Sequence, residues 1–262
     1  NRLPDAKSSQ AAFEEAEAYL NVVESYFDES SETSINSLTS QFWNSWSNLS
    51  INPLGASERV AVFDNASNLA ERYNSVNADL MRLTTDLNNE ISSSLGQINT
   101  ITSQIADMNR EITSLELGRS ANDQRDQRNA LVDELGSLMD IDTFEQSNGA
   151  IIINAANGFS LVNGVDNYEV SLSENQVMYQ GSYGSKIDIT DKIQGGKLGG
   201  WLDIRDEVIP KYQSDLDVLA ENMIWAMNYQ HSQGSGLNYS SEPVTGTYES
   251  DPSRLLSSLA FG

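Results

Sequence analysis

The sequence predicts a mainly α-helical chain with a small antiparallel β element, an α+β protein organised as an elongated helical bundle on one long coiled-coil-like helix. Three observations carry this. Apolar residues advance by threes and fours through most of residues 1–140. Within that region the series from Leu69 to Leu115 averages about 3.5 residues per step, the spacing of a coiled-coil seam. Past Ile141 the helical period gives way to short apolar runs separated by Gly, Asn and Ser.

Taken in order, Ala12, Ala16, Leu20, Val23 and Phe27 mark one face of a first helix over Gln10–Phe27. A second begins near Ser34 and carries Ile35, Leu38, Phe42, Trp46 and Leu49 until Pro53 and Gly55 interrupt it. Ser57 is placed to cap the long helix, which over Glu58–Leu117 would extend roughly 90 Å and needs a packing partner. Gly96 lies where the seam changes phase and marks a point of bending or breakage. Gly118 ends this helix, and Asn122 caps the next, whose apolar residues are Leu131, Val132, Leu135 and Leu138.

The runs at Ala150–Ile153, Phe159–Val162, Tyr168–Leu172 and Gln176–Tyr179 predict the strands of one small antiparallel sheet within residues 141–193. The glycine-rich Gln194–Gly200 reads as a turn into a returning helix over residues 194–231. That helix carries Leu202, Val208, Tyr212, Leu216, Leu219, Met223, Ala226 and Met227 and packs along the seam. Residues 232–262 are rich in Gly, Ser and Asn, with one strand at Val244–Tyr248, and read as a linker into a truncated outer domain.

The 262 residues carry 15 Lys and Arg against 38 Asp and Glu, a net charge of -23. That balance argues against nucleic acid or an anionic membrane as a partner. With no cysteine, disulfides and thiol chemistry are excluded. No run of about 18 apolar residues predicts a transmembrane helix. The first residue is Asn1, with neither Met nor a charged-then-apolar leader, which reads as a processed or trimmed terminus.

The motifs that invite chemistry have simpler readings. Gly195–Gly200 lacks the Lys-Ser or Lys-Thr pair of a phosphate loop. His231 is the only histidine, so no two-histidine metal site is available and a helix-end position suits it better than catalysis. Asp188 with Asp191, and Asp215 with Asp217, supply no complete calcium loop. No cofactor or metal is expected. Phe42 and Trp46 share a helical face suited to a core, whereas Trp43 lies one step round and suits a contact. Asp123, Arg125, Asp126 and Arg128 read as a solvated, capped helix start or as arginines docking a loop or neighbouring subunit, with capping favoured.

Four tracts in order along most of the chain carry a family resemblance. They are Leu38–Ser50 with Asn52-Pro53; Arg59–Val62 with Leu69-Ala70 and Asn74; Asn122–Asn129 with Leu131–Leu135; and Gly195–Gly200 with Leu202–Asp206, Asn228 and His231–Gly234. Together they resemble the flagellar hook-associated protein 1 family, and Phe42, Trp43, Trp46, Arg59, Asn122, Asp123, Arg125, Asp126, Arg128, Gly199, Gly200 and Arg205 are the core or motif residues the likeness rests on. The resemblance implies a structural subunit, not an enzyme, outside the cell at the junction of hook and filament, exported by the type III pathway. It implies hook protein, hook-associated protein 3 and further copies of itself as partners, polymer-forming helices beyond both ends, and an export chaperone acting on a C-terminal region absent here. The fragment itself is expected to be monomeric. Two other classes fit the composition: a generic helical adhesive or signalling module, and a glycan hydrolase using paired carboxylates.

Overall fold

The computed structural model describes residues 2–115, 121–181 and 184–232. Six α-helices hold most of them: α1 Arg2–Tyr26, α2 Ile35–Ile51, α3 Ala56–Leu115, α4 Asn122–Leu138, α5 Gly196–Asp203 and α6 Ile209–Ser232. The fold is mainly α with antiparallel β, as the periodicity predicts. Seven strands intervene between α4 and α5: β1 Ile141–Glu145, β2 Ile151–Ala155, β3 Phe159–Asn163, β4 Asp166–Asn167, β5 Glu169–Ser173, β6 Gln176–Gln180 and β7 Lys186–Asp188. The chain divides into two units, one of Asn1–Ser25 with Arg82–Val208 and one of Tyr26–Met81 with Ile209–Gly262.

Several helix boundaries differ from expectation for local reasons. α1 starts at Arg2, well before Gln10, because its first turns are polar but contain no residue that stops a helix; Pro4 falls in the first turn, where its missing N–H has no intrahelical partner anyway. Ser34 does cap α2, its side chain accepting from the Ser37 N–H. Ser57 does not cap α3, which starts one residue earlier. The carboxylate of Glu58 takes that part: it bonds its own backbone N–H first, then Asn52 Nδ2 at 3.0 Å and Ser57 Oγ at 3.1 Å, and these bonds lower its pKa. A Cβ at Gly55 would lie 1.8 Å from that carboxylate, so a larger residue there would displace the Glu58 side chain from its bonds. Asn122 is likewise the first residue inside α4 and not its cap; the buried Ala121 holds the cap position and offers no side-chain cap bond. Gly118, Val244–Tyr248 and residues 232–262, apart from the end of α6, lie outside the described residues.

α3 continues through Gly96 without a break, since that glycine faces outward and the seam on the other side is unbroken. Leu69, Val76, Leu80, Leu83, Leu87, Ile91, Leu95, Ile98, Ile101, Ile105 and Ile112 are all buried. In the second unit Leu38, Phe42 and Leu69 form a core against which Trp46, Tyr73, Met223 and Met227 pack. The same unit closes with Phe27 against Tyr212, ring centroids 5.1 Å apart, and with Gln213 donating to Asn77 at 3.0 Å. Leu219, assigned to the inward stripe of α6, is instead exposed, one position off the face defined by Leu216 and Met223.

The strands form two sheets and not one: β1-β2-β3-β4 and β5-β6-β7, antiparallel throughout. β5 and β6 are joined by Glu174 and Asn175, both at positive φ, the two-residue turn whose twist suits a hairpin. Gln194–Gly200 is also more than a turn, because α5 begins at Gly196 and contains the remaining glycines. A Cβ on Gly200 would approach the Ala12 carbonyl oxygen to 2.4 Å, so the glycine lets α5 meet α1 backbone to backbone. Between α5 and α6 the helix widens to a π turn over Ile204–Val208. Pro210 lacks the N–H that an α-helical register would direct back to the carbonyl of Asp206, which accounts for a change of register there.

Candidate functional site

In the first unit, three asparagines on α3 bind the β element. Asn88, Asn99 and Asn109 are eleven and ten residues apart, about three turns each, so they recur on one side of the helix. Asn99 donates from Nδ2 to the Val170 carbonyl at 2.8 Å and accepts from the Val170 N–H at 2.9 Å, reproducing with one amide the pairing of an adjacent strand along β5. Asn109 does the same at the start of β2, donating to Ile151 O at 3.0 Å and accepting from Ile151 N at 3.1 Å, and it also donates to Gly164 O at 2.6 Å. Asn88 donates to Asn175 Oδ1 in the β5–β6 turn at 3.1 Å.

Two buried arginines complete the arrangement, with Arg125 beside them. Arg128, 2% exposed, donates through Nη1 to Asn109 Oδ1 at 3.0 Å and to the Gly149 carbonyl at 2.7 Å. Arg125 pairs with Glu145 on β1. The reading of this motif as a solvated helix start is therefore corrected: Asp123 is exposed, but the arginines dock the β element. Arg205, in the π turn and 4% exposed, forks onto the Asp206 carboxylate with two bonds of 2.7 Å and donates to Asn88 Oδ1 at 3.0 Å. Sequence reasoning misses the asparagines because Asn on a long helix reads as surface; the available signal is their recurrence beside a seam otherwise apolar.

The remaining motif residues lie elsewhere. Phe42 is buried and Trp46 half-buried beside it, whereas Trp43 is exposed. Arg59 donates to the Pro53 carbonyl at 2.7 Å and braces the turn between α2 and α3. Ile51, Leu54, Val60 and Phe63 are strongly exposed at and after this turn, Leu54 by 75% and Phe63 by 71%. Gly199 and Gly200 let α5 pack closely against its surroundings, Gly199 against the Gln194 backbone and Gly200 against Ala12 of α1.

The titration pattern is structural. Asp28, Glu58 and Asp188 are each lowered by hydrogen bonds within turns or helix starts, for Asp188 from Thr190. Burial raises Tyr73 to about 12. Among the described residues no cluster of His, Asp or Glu fits a metal ion, and no helix is long and apolar enough to cross a membrane.

Residues 20–243, spanning the α3 seam, both sheets and the π turn, match the family model for the flagellar hook-associated protein FlgK helical domain. The chain belongs to this FlgK family. Flagellar hook-associated protein 1 of Escherichia coli is 30% identical over 228 residues, covering 82% of this chain and 42% of that protein. The Salmonella typhimurium protein of the same name is 27% identical over 245 residues, 89% of this chain and 44% of its own length. The Bacillus subtilis counterpart is 28% identical over 247 residues, 82% and 48% respectively. A solved structure described as the flagellar hook junction protein FlgK from Burkholderia pseudomallei superposes with a TM-score of 0.82 at 25% identity, over 90% of this chain and 44% of that one. The chain thus spans less than half the length of the relatives it matches.

Proposed function

We propose that this chain is the helical domain of a structural adaptor at the junction between flagellar hook and filament, located outside the cell. The observation that carries the reading is its membership of the FlgK family over residues 20–243. Its architecture supports it: Asn99, Asn109 and Arg128 hold the strands of the β element to the helices. Such a part contributes rigidity and surface, and no bond-making step is required of it.

In this role the partners are hook protein, hook-associated protein 3 and further copies of the same protein, with an export chaperone acting on a C-terminal region. The exposed apolar group Ile51, Leu54, Val60 and Phe63, with Trp43 on α2, supplies contact area of the kind that assembly interfaces bury. Electron microscopy of cells lacking the protein tests the proposal. Hooks without attached filaments are expected, with rescue by the wild-type gene and failed rescue by Leu54→Asp/Phe63→Asp despite normal export and folding. Filaments on normal junctions in the deletion strain would overturn the adaptor reading; full rescue by the double variant would overturn only the contact surface.

A further inference from the structure

A second surface, in the first unit, has a different chemistry. α1 and the stretch from Thr190 to Glu207 enclose a groove of about 470 Å³. Phe13 lines it with three-quarters of its surface exposed, and Ala12, Ala16 and Gly200 carry too little side chain to fill it. The groove is bounded by carboxylates. Asp206 is held by Arg205 yet remains 44% exposed, while Asp191, Asp203 and Glu207 form no ion pair with any described residue.

We propose that this groove docks a basic amphipathic segment of a partner protein, an apolar side chain lying against Phe13 and Lys or Arg side chains reaching the acidic rim. Charge complementarity selects the occupant. A wholly acidic segment would be repelled by Asp191, Asp203 and Glu207, and a wholly apolar one would leave these carboxylates without a cationic partner. A second copy of this chain is a poor candidate, since its net charge of -23 repels it from the rim. A cationic segment is attracted at long range and gains apolar contact on arrival, the helix-in-groove mode of recognition. The inference goes beyond the adaptor proposal and does not depend on it.

The test titrates the folded chain with a leucine–lysine amphipathic peptide of about five helical turns, read by fluorescence anisotropy and by amide chemical shifts. Controls are the matching leucine–glutamate peptide and an oligolysine without leucine. Saturable binding of the leucine–lysine peptide alone is expected, with shifts centred on α1 and residues 190–207. Phe13→Ser and Asp203→Asn/Glu207→Gln should each weaken it by about tenfold, the second also flattening its salt dependence. Both alter exposed side chains, and an unchanged thermal unfolding curve confirms that the fold is intact. Equal binding of oligolysine shows general attraction to an acidic protein and overturns the proposal. So do unaltered affinity of Phe13→Ser, binding of the leucine–glutamate peptide, or self-association of the chain abolished by Phe13→Ser.

Discussion

Arg128 has almost no solvent contact, so its charge is accommodated by the carbonyl of Gly149 and the amide oxygen of Asn109. Replacing it with Met keeps most of the apolar stem but strands buried acceptors, and Arg128→Met is expected to cost about 3 kcal/mol in urea unfolding. Asn109→Ala should cost a similar amount, because it orphans both the N–H and the carbonyl of Ile151. Both act on one network, so the double variant should lose clearly less than the sum; strict additivity would mean that the two residues do not work together. Tyr73 permits a separate test in the second unit. Burial lifts its phenol from 10.0 to about 12, so the neutral ring stabilises the fold fully below pH 10.0, and that contribution is lost as pH rises toward about 12. Wild type should therefore lose stability more steeply across this window than Tyr73→Phe. Parallel curves would place Tyr73 in contact with water.

Two glycines inside helices should respond to alanine with opposite signs. A methyl added to Gly96 on α3 would meet nothing within 4 Å, so Gly96→Ala should stabilise by about 1 kcal/mol through helix propensity alone. Gly200 on α5 would set the same methyl 2.4 Å from the Ala12 carbonyl oxygen; Gly200→Ala should therefore destabilise, and a rise in melting temperature would show that α1 and α5 separate at little cost. The contrast marks how far sequence reading reaches. Helices are legible because each writes its period into contiguous residues, as Leu80, Leu83, Leu87 and Ile91 do, and that pattern does not depend on distant chain. The apolar runs reveal the strands but not that pairing stops between β4 and β5, which is why the sequence predicts one sheet where the fold has two. The candidate site is less legible still. Arg125 and Arg128 are visible, but their acceptors, Glu145 and Gly149, lie about twenty residues on, and capping chemistry near Asn122 explains the motif equally well. Asn88, Asn99 and Asn109 leave only a spacing, without a composition signal.

At the scale of the whole molecule, net charge opposes the apolar contact proposed for assembly. With 38 acidic and 15 basic residues, two copies repel as they approach, while exposed Leu54, Phe63 and Trp43 offer a short-range gain when buried. At physiological salt the repulsion reaches about 8 Å, and it extends further as salt is lowered. The chain is therefore expected to sediment as a monomer at low-micromolar concentration, with association appearing only at higher concentration and strengthening as added salt screens the charge. Weak pairwise contact of this kind is compatible with an ordered junction, since subunits already held in register experience an effective concentration far above that in dilute solution. Sedimentation velocity over a concentration series at low and high salt measures both terms. A stable oligomer at low-micromolar concentration that persists as salt is reduced would show attraction outweighing the charge, and Leu54→Asp/Phe63→Asp would then decide whether that attraction resides in the exposed group after α2 or elsewhere on the chain.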